Sequence, residues 1–136
     1  MAAPSHPHAA RAAELSSALK ELHRALIRAE IGDDPSLDNP YTMLFALIGD
    51  PRFAWMKGLS ELIARIDQTI DDEELGEEGR LAAIRDEAAA FLGEGPLAAD
   101  SDFRLHYLMA VQKEPAVGLA AGRLRKTLAA TRPASG

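Results

Sequence analysis

Leucines at positions 15, 19, 22 and 26, followed by Ala29, recur at steps of four and three. That spacing is one face of an α-helix and cannot be reconciled with the two-residue repeat of a half-buried strand. The same three-and-four rhythm returns along the chain: Trp55/Met56, Leu59, Leu62/Ile63, Ile66 and Ile70, then Leu81, Ile84, Ala88 and Phe91, then Phe103, Tyr107, Leu108 and Val111, then Val117, Leu124 and Leu128. No stretch alternates apolar with polar, and no repeat of 20–50 residues is visible. The expectation is one all-α domain, a compact bundle of five or six helices.

Start and stop signals divide the pattern. Gly32 with Asp33, Asp34 and Pro35 closes the first helix, which opens near Ala9. Asn39-Pro40 reads as a cap followed by proline at the first helical position, and Asp50-Pro51 repeats it. These place a short helix at Pro40–Ile48, ended by Gly49, and a long one from Pro51 to about Ile70. A short apolar run such as 43–48 also suits a buried strand, but the flanking caps favour helix. Gly58 inside the long helix costs about 1 kcal/mol against alanine. Residues 71–78 are expected to be a solvated turn. Further helices are expected at about 77–92, ended by Gly93, at 102–113 with Ser101 as cap, and at 115–129 opened by Pro115. Residues 1–8 and 130–136 are expected to be flexible tails around a single domain, 9–129.

Composition narrows what such a bundle can do. The 136 residues include no cysteine, which excludes disulfides, thiolate metal sites and cysteine nucleophiles. Apolar residues make up 47%, but 26 of them are alanine, leaving 38 larger ones to build a core. No apolar run reaches the ~18 residues of a membrane span, and no signal peptide is visible in the first residues. The expectation is a soluble cytoplasmic protein. Net charge is −6 and uneven: residues 67–102 hold 12 acids against Arg80 and Arg85, while 103–136 hold six bases against Glu114. An acidic chain is a poor nucleic-acid binder, and the two blocks are expected to face each other at least partly.

The stretch Met43–Ile48, Asp50-Pro51-Arg52-Phe53-Ala54-Trp55, Leu59-Ser60-Glu61-Leu62-Ile63 and Arg65-Ile66-Asp67 resembles an uncharacterised family of small, all-helical bacterial proteins. The Asp-Pro-x-Phe-Ala-Trp piece is its specific part. The resemblance implies a bacterial, all-α protein and carries no activity, cofactor or catalytic residue.

Candidate chemistry is sparse, and no catalytic, cofactor-binding or metal residue is assigned. His6 and His8 fall in the expected tail; His23 and His106 stand alone in helices. Neither lies three residues after a glutamate, as a di-iron bundle site needs. Asp67, Thr69, Asp71, Glu73 and Glu78 fit the ligand spacing of a calcium loop, but Asp72 stands where its sharp turn needs glycine. There is no nucleophile elbow or phosphate loop. A phosphoacceptor role for His23, beside Lys20 and Arg24, lacks any surrounding motif. Asp50, Arg52, Lys57 and Arg65 form a weak acid–base or anion set; Asp50 reads better as a cap. Gly118 and Gly122 suggest close packing against a helix of the same chain. Arg123, Arg125 and Lys126 suit a helix C-terminus better than a nucleic-acid patch.

The helix at Pro40–Ile48 is apolar on every face, so one neighbour cannot cover it. Either this helix and the adjoining Phe53–Met56 form the centre of the core, covered from several directions, or a second chain covers what remains. The favoured expectation is partial coverage, with Tyr41, Leu44, Phe45, Ile48, Phe53 and Trp55 as interface residues for a homodimer or a protein partner. A helical protein-interaction or regulatory module is the favoured function. A small-ligand pocket or uncharacterised enzyme, and a nucleic-acid-associated protein, are the alternatives.

Overall fold

Every leucine of the first stripe points inward. In the computed structural model, which describes residues 7–32, 34–35, 39–73, 79–98 and 101–131, helix α1 spans Pro7–Ile31. Leu15, Leu19, Leu22 and Leu26 are fully buried, joined by Ala12, Ala18, Ala25 and Ala29. Each buried leucine contributes about 1.5–3 kcal/mol of transfer free energy. The helix starts two residues earlier than its apolar pattern because Pro7 supplies a first-turn proline. Residues 1–6 lie outside the described residues.

The other α-helices are α2 (Pro40–Gly49), α3 (Lys57–Asp71), α4 (Arg80–Phe91), α5 (Ser101–Lys113) and α6 (Pro115–Ala130). No strand occurs among the described residues. α1 is the axis: α3, α4, α5 and α6 all pack on it. The result is a single-domain all-α bundle. α2 stands apart from this arrangement and leans mainly on the segment that follows it.

That segment, Pro51–Met56, corrects the expected long helix. It is a 3-10 turn, and α-helix begins only at Lys57. Three residues per turn bring Phe53 and Met56 to one side, and both are buried. Asp50 caps it, accepting from the Arg52 amide at 2.9 Å. Arg52 in turn donates to Asp34 at 2.8 Å and to the Glu30 carbonyl at 2.6 Å, tying the segment to the end of α1.

α4 begins at Arg80 behind Gly79, which holds the left-handed φ of +80°; residues 74–78 lie outside the described residues. Ser101 is the first residue of α5 rather than its cap. α6 opens on Glu114, whose carboxylate accepts from the Ala116 amide, with Pro115 next. Ala120 and Ala121 are buried where α6 crosses α1. Gly118 and Gly122 are not at that crossing: a Cβ on either would meet nothing within 4 Å. The end of α6 also differs from expectation. Ala130 is helical, its carbonyl accepts from Arg11, and Thr131 is buried, with its hydroxyl donating to the Leu128 carbonyl. Residues 132–136 lie outside the described residues.

Candidate functional site

The two ends of α2 are set by local signals. Asn39 accepts from the Tyr41 amide at 2.8 Å, Pro40 fixes the first turn, and the Asp50 amide closes the last turn on the Ala46 carbonyl. The helix PYTMLFALIG has no buried residue. Tyr41 is 74% exposed, Leu44 53%, Phe45 71%, Leu47 37% and Ile48 75%. Met43 and Ala46, half-buried, form its inner edge. Monomeric proteins rarely leave a contiguous apolar patch of more than a few hundred Å² in water.

The six expected interface residues therefore divide. Tyr41, Leu44, Phe45 and Ile48 share the open helix. Phe53 does not join them: it is buried, because the 3-10 turn aims it into the core together with Met56. Trp55 is half-buried on the α5 side, stacked on the His106 ring at 4.9 Å and tilted against Phe103 at 5.2 Å. Its Nε1 is buried and meets no acceptor among the described residues.

Beside α2 runs an open groove of about 560 Å³. Leu47, Ile48 and Gly49 of α2 line it together with Asp50, the 3-10 residues Pro51, Phe53, Ala54 and Met56, and His23, Lys57 and Ser60. Burial pushes the His23 imidazole below its ordinary value of 6.5, which favours the neutral ring. His23 is thus half-buried in a largely apolar wall rather than on a solvated helix edge.

The remaining candidates are occupied elsewhere. Arg65 forms a bidentate pair with Glu87 at 2.7 and 3.2 Å, and Arg52 is held by Asp34 and Glu30. Neither lines the groove; Asp50 and Lys57 do, but Asp50 is engaged as the cap of the 3-10 turn, so the four do not form one acid–base set. Asp67, Thr69 and Asp71 are helical residues of α3. The Asp67 carboxylate accepts from Ser16 at 2.6 Å and pairs with Lys20 at 2.9 Å, while the Thr69 hydroxyl donates to the Arg65 carbonyl. A calcium loop cannot form on that geometry; Glu78 lies outside the described residues. No metal-ligating group of three side chains occurs among the described residues. Arg123 pairs with Glu21 and donates to Ser17, and Arg125 pairs with Glu94, so two of the six bases of the C-terminal segment are engaged within the chain.

One surface was not anticipated. Leu108, read with the core-facing rhythm of α5, is instead exposed together with Leu105 and Met109, opposite the buried Phe103, Tyr107 and Ala110. Their own three-and-four spacing was the signal available in the sequence. No family model, curated protein or solved structure matches the chain. No helix among the described residues is long and apolar enough to cross a membrane.

Proposed function

We propose that the protein is a small helical interaction module whose docking element is α2 with the groove beside it. The observation that carries this is a capped ten-residue helix with no buried residue and five large apolar side chains in water. Free, it exposes apolar area whose removal from water is worth about 25 cal/mol per Å². The bundle core does not include α2, so covering it costs no rearrangement of the other helices. A ligand pocket or an active site is less well supported, since Arg52 and Arg65 are spent on structural pairs outside the groove. Nucleic-acid binding is less well supported because Arg123 and Arg125 are paired internally. The bacterial, cytoplasmic setting rests on the resemblance carried by Asp50–Trp55.

A photoreactive phenylalanine analogue at position 45, in the full chain expressed in cells, tests the reading. The expected result is a covalent protein adduct that disappears when Ile48→Glu is added. The same analogue at position 119, an exposed leucine on α6, serves as control. Equal labelling at both positions, or none at 45, would refute the docking role of α2.

A further inference from the structure

We infer that the partner docked on α2 is a second copy of this chain, placed by a two-fold axis so that each copy's α2 lies against the other's α2 and groove. This rests on α2 being the docking element.

Three observations favour a second copy. The first is area. Five side chains at these exposures leave roughly 600 Å² of mostly apolar surface, at the upper end of what a monomer shows. Doubled by a two-fold axis, with the groove walls added, the face reaches the ~1,200 Å² at which specific interfaces begin. The second is self-complementarity. Phe45 and Ile48 project from the helix, and the groove lined by Phe53 and Met56 opens directly beside it. A two-fold contact needs projection and recess on the same patch, because each copy supplies both. A projection fitting a recess elsewhere on the molecule would build open chains instead; here the two are adjacent, which suits a closed two-fold contact.

The third is charge. The whole chain carries −6, which sets one copy against another, yet residues 40–49 contain no ionisable group except the Tyr41 phenol. A charged side chain near a two-fold axis would meet its own twin. Its absence from α2 makes helix-to-helix self-contact inexpensive, and in the groove Asp50 and Lys57, of opposite sign, add no net charge to set the copies apart. With its one lysine, Lys57, offset by Asp50, the face offers no net attraction to an anionic lipid surface.

The purified full chain should scatter light as twice 14.6 kDa at micromolar concentration. Phe45→Glu and Ile48→Glu should each weaken association by about 30-fold or more, the loss expected of an interface hot spot. Their circular dichroism should match the parent, since both side chains are more than 70% exposed. The photoreactive analogue at position 45 should yield an adduct of twice the chain mass, both purified and in cells. A purified monomer whose only adduct in cells has another mass would overturn the second copy and keep α2 as a docking element. No adduct in either setting would overturn both. A dimer that survives both glutamate substitutions would show that the copies meet elsewhere and overturn the inference.

Discussion

Ser16 is one of few buried polar residues, and its hydroxyl has one task. It donates at 2.6 Å to Asp67 on α3, whose other oxygen pairs with Lys20 at 2.9 Å. Burial works to raise the Asp67 pKa, but the Ser16 hydrogen bond and Lys20 together outweigh it, and the group titrates below its ordinary 3.8. A depressed folded-state pKa means stability that is present above 3.8 and lost as pH falls through the lowered value. Ser16→Ala should cost about 1 kcal/mol, because Asp67 keeps Lys20 and water. It should also flatten the acid limb of a stability–pH curve; an unchanged limb would remove Asp67 from the account. His23 acts over a higher range. Burial lowers its pKa from 6.5, so its contribution is complete above 6.5 and declines as pH falls toward the folded-state value. Urea melts between about pH 5 and 7 should show stability falling with acidity, and His23→Gln should reduce that slope. Neither effect was legible in the sequence. Ser16 and Asp67 are 51 residues apart, and the burial of His23 depends on the 3-10 turn across from it.

Individual elements show which local signals decide and which are overridden. Asn39-Pro40 and Asp50-Pro51 start their elements as read, because capping needs only neighbouring residues. The split of 51–70 into a 3-10 turn and α3 was not legible. Phe53 and Met56 are three apart in either helix type, and the anchoring of Arg52 on Asp34 and Glu30 is long-range. The end of α4 was half legible. Gly93 takes the left-handed φ of +73°, as a helix-ending glycine should, but Arg104 from α5 also donates to the Leu92 carbonyl at 2.7 Å. A Cβ at Gly93 would come within 2.8 Å of the Arg104 guanidinium. Glycines therefore divide by surroundings rather than by spacing. Gly93→Ala should destabilise by about 1–2 kcal/mol, combining an αL penalty with displacement of the arginine. Gly118→Ala and Gly122→Ala sit in open helix and should each stabilise by about 0.5–1 kcal/mol. Thermal melts of the three single variants check this. A loss at 118 or 122 would mean those glycines face a surface that must stay free of a methyl group.

At the scale of the whole molecule, the charge blocks were only partly legible. Arg125–Glu94 joins the basic segment to the acidic one, as expected, but Asp67 and Glu87 find Lys20 and Arg65 from the first half, and Arg123 finds Glu21. A sequence count gives the charge of a block, not the helix across from it. The interface candidates followed the same logic. That an all-apolar helix cannot be covered by one neighbour was visible in Tyr41–Ile48; that Phe53 would turn toward the bundle was not, whereas Trp55 already belonged to the apolar stripe running to Ile70. The consequence is a steep gradient of local stability. α1 is enclosed by four other helices, and its leucines are fully buried, so its amides open only when the bundle does. α2 leans chiefly on the 3-10 turn and contributes no buried side chain. A ten-residue helix is too short to persist on propensity alone, so its caps at Asn39 and Asp50 carry it. Native-state hydrogen exchange should therefore find α1 protected to near the global unfolding free energy. In dilute protein, α2 should exchange by local opening, several kcal/mol more easily. Asn39→Ala should raise exchange in α2 by a factor near five, the equivalent of about 1 kcal/mol for a lost cap, and leave α1 unchanged. Protection of α2 should also rise with protein concentration, because a second copy covering Phe45 and Ile48 suppresses the opening by mass action. Protection in α2 equal to that in α1 at every dilution would instead place the helix inside the cooperative core.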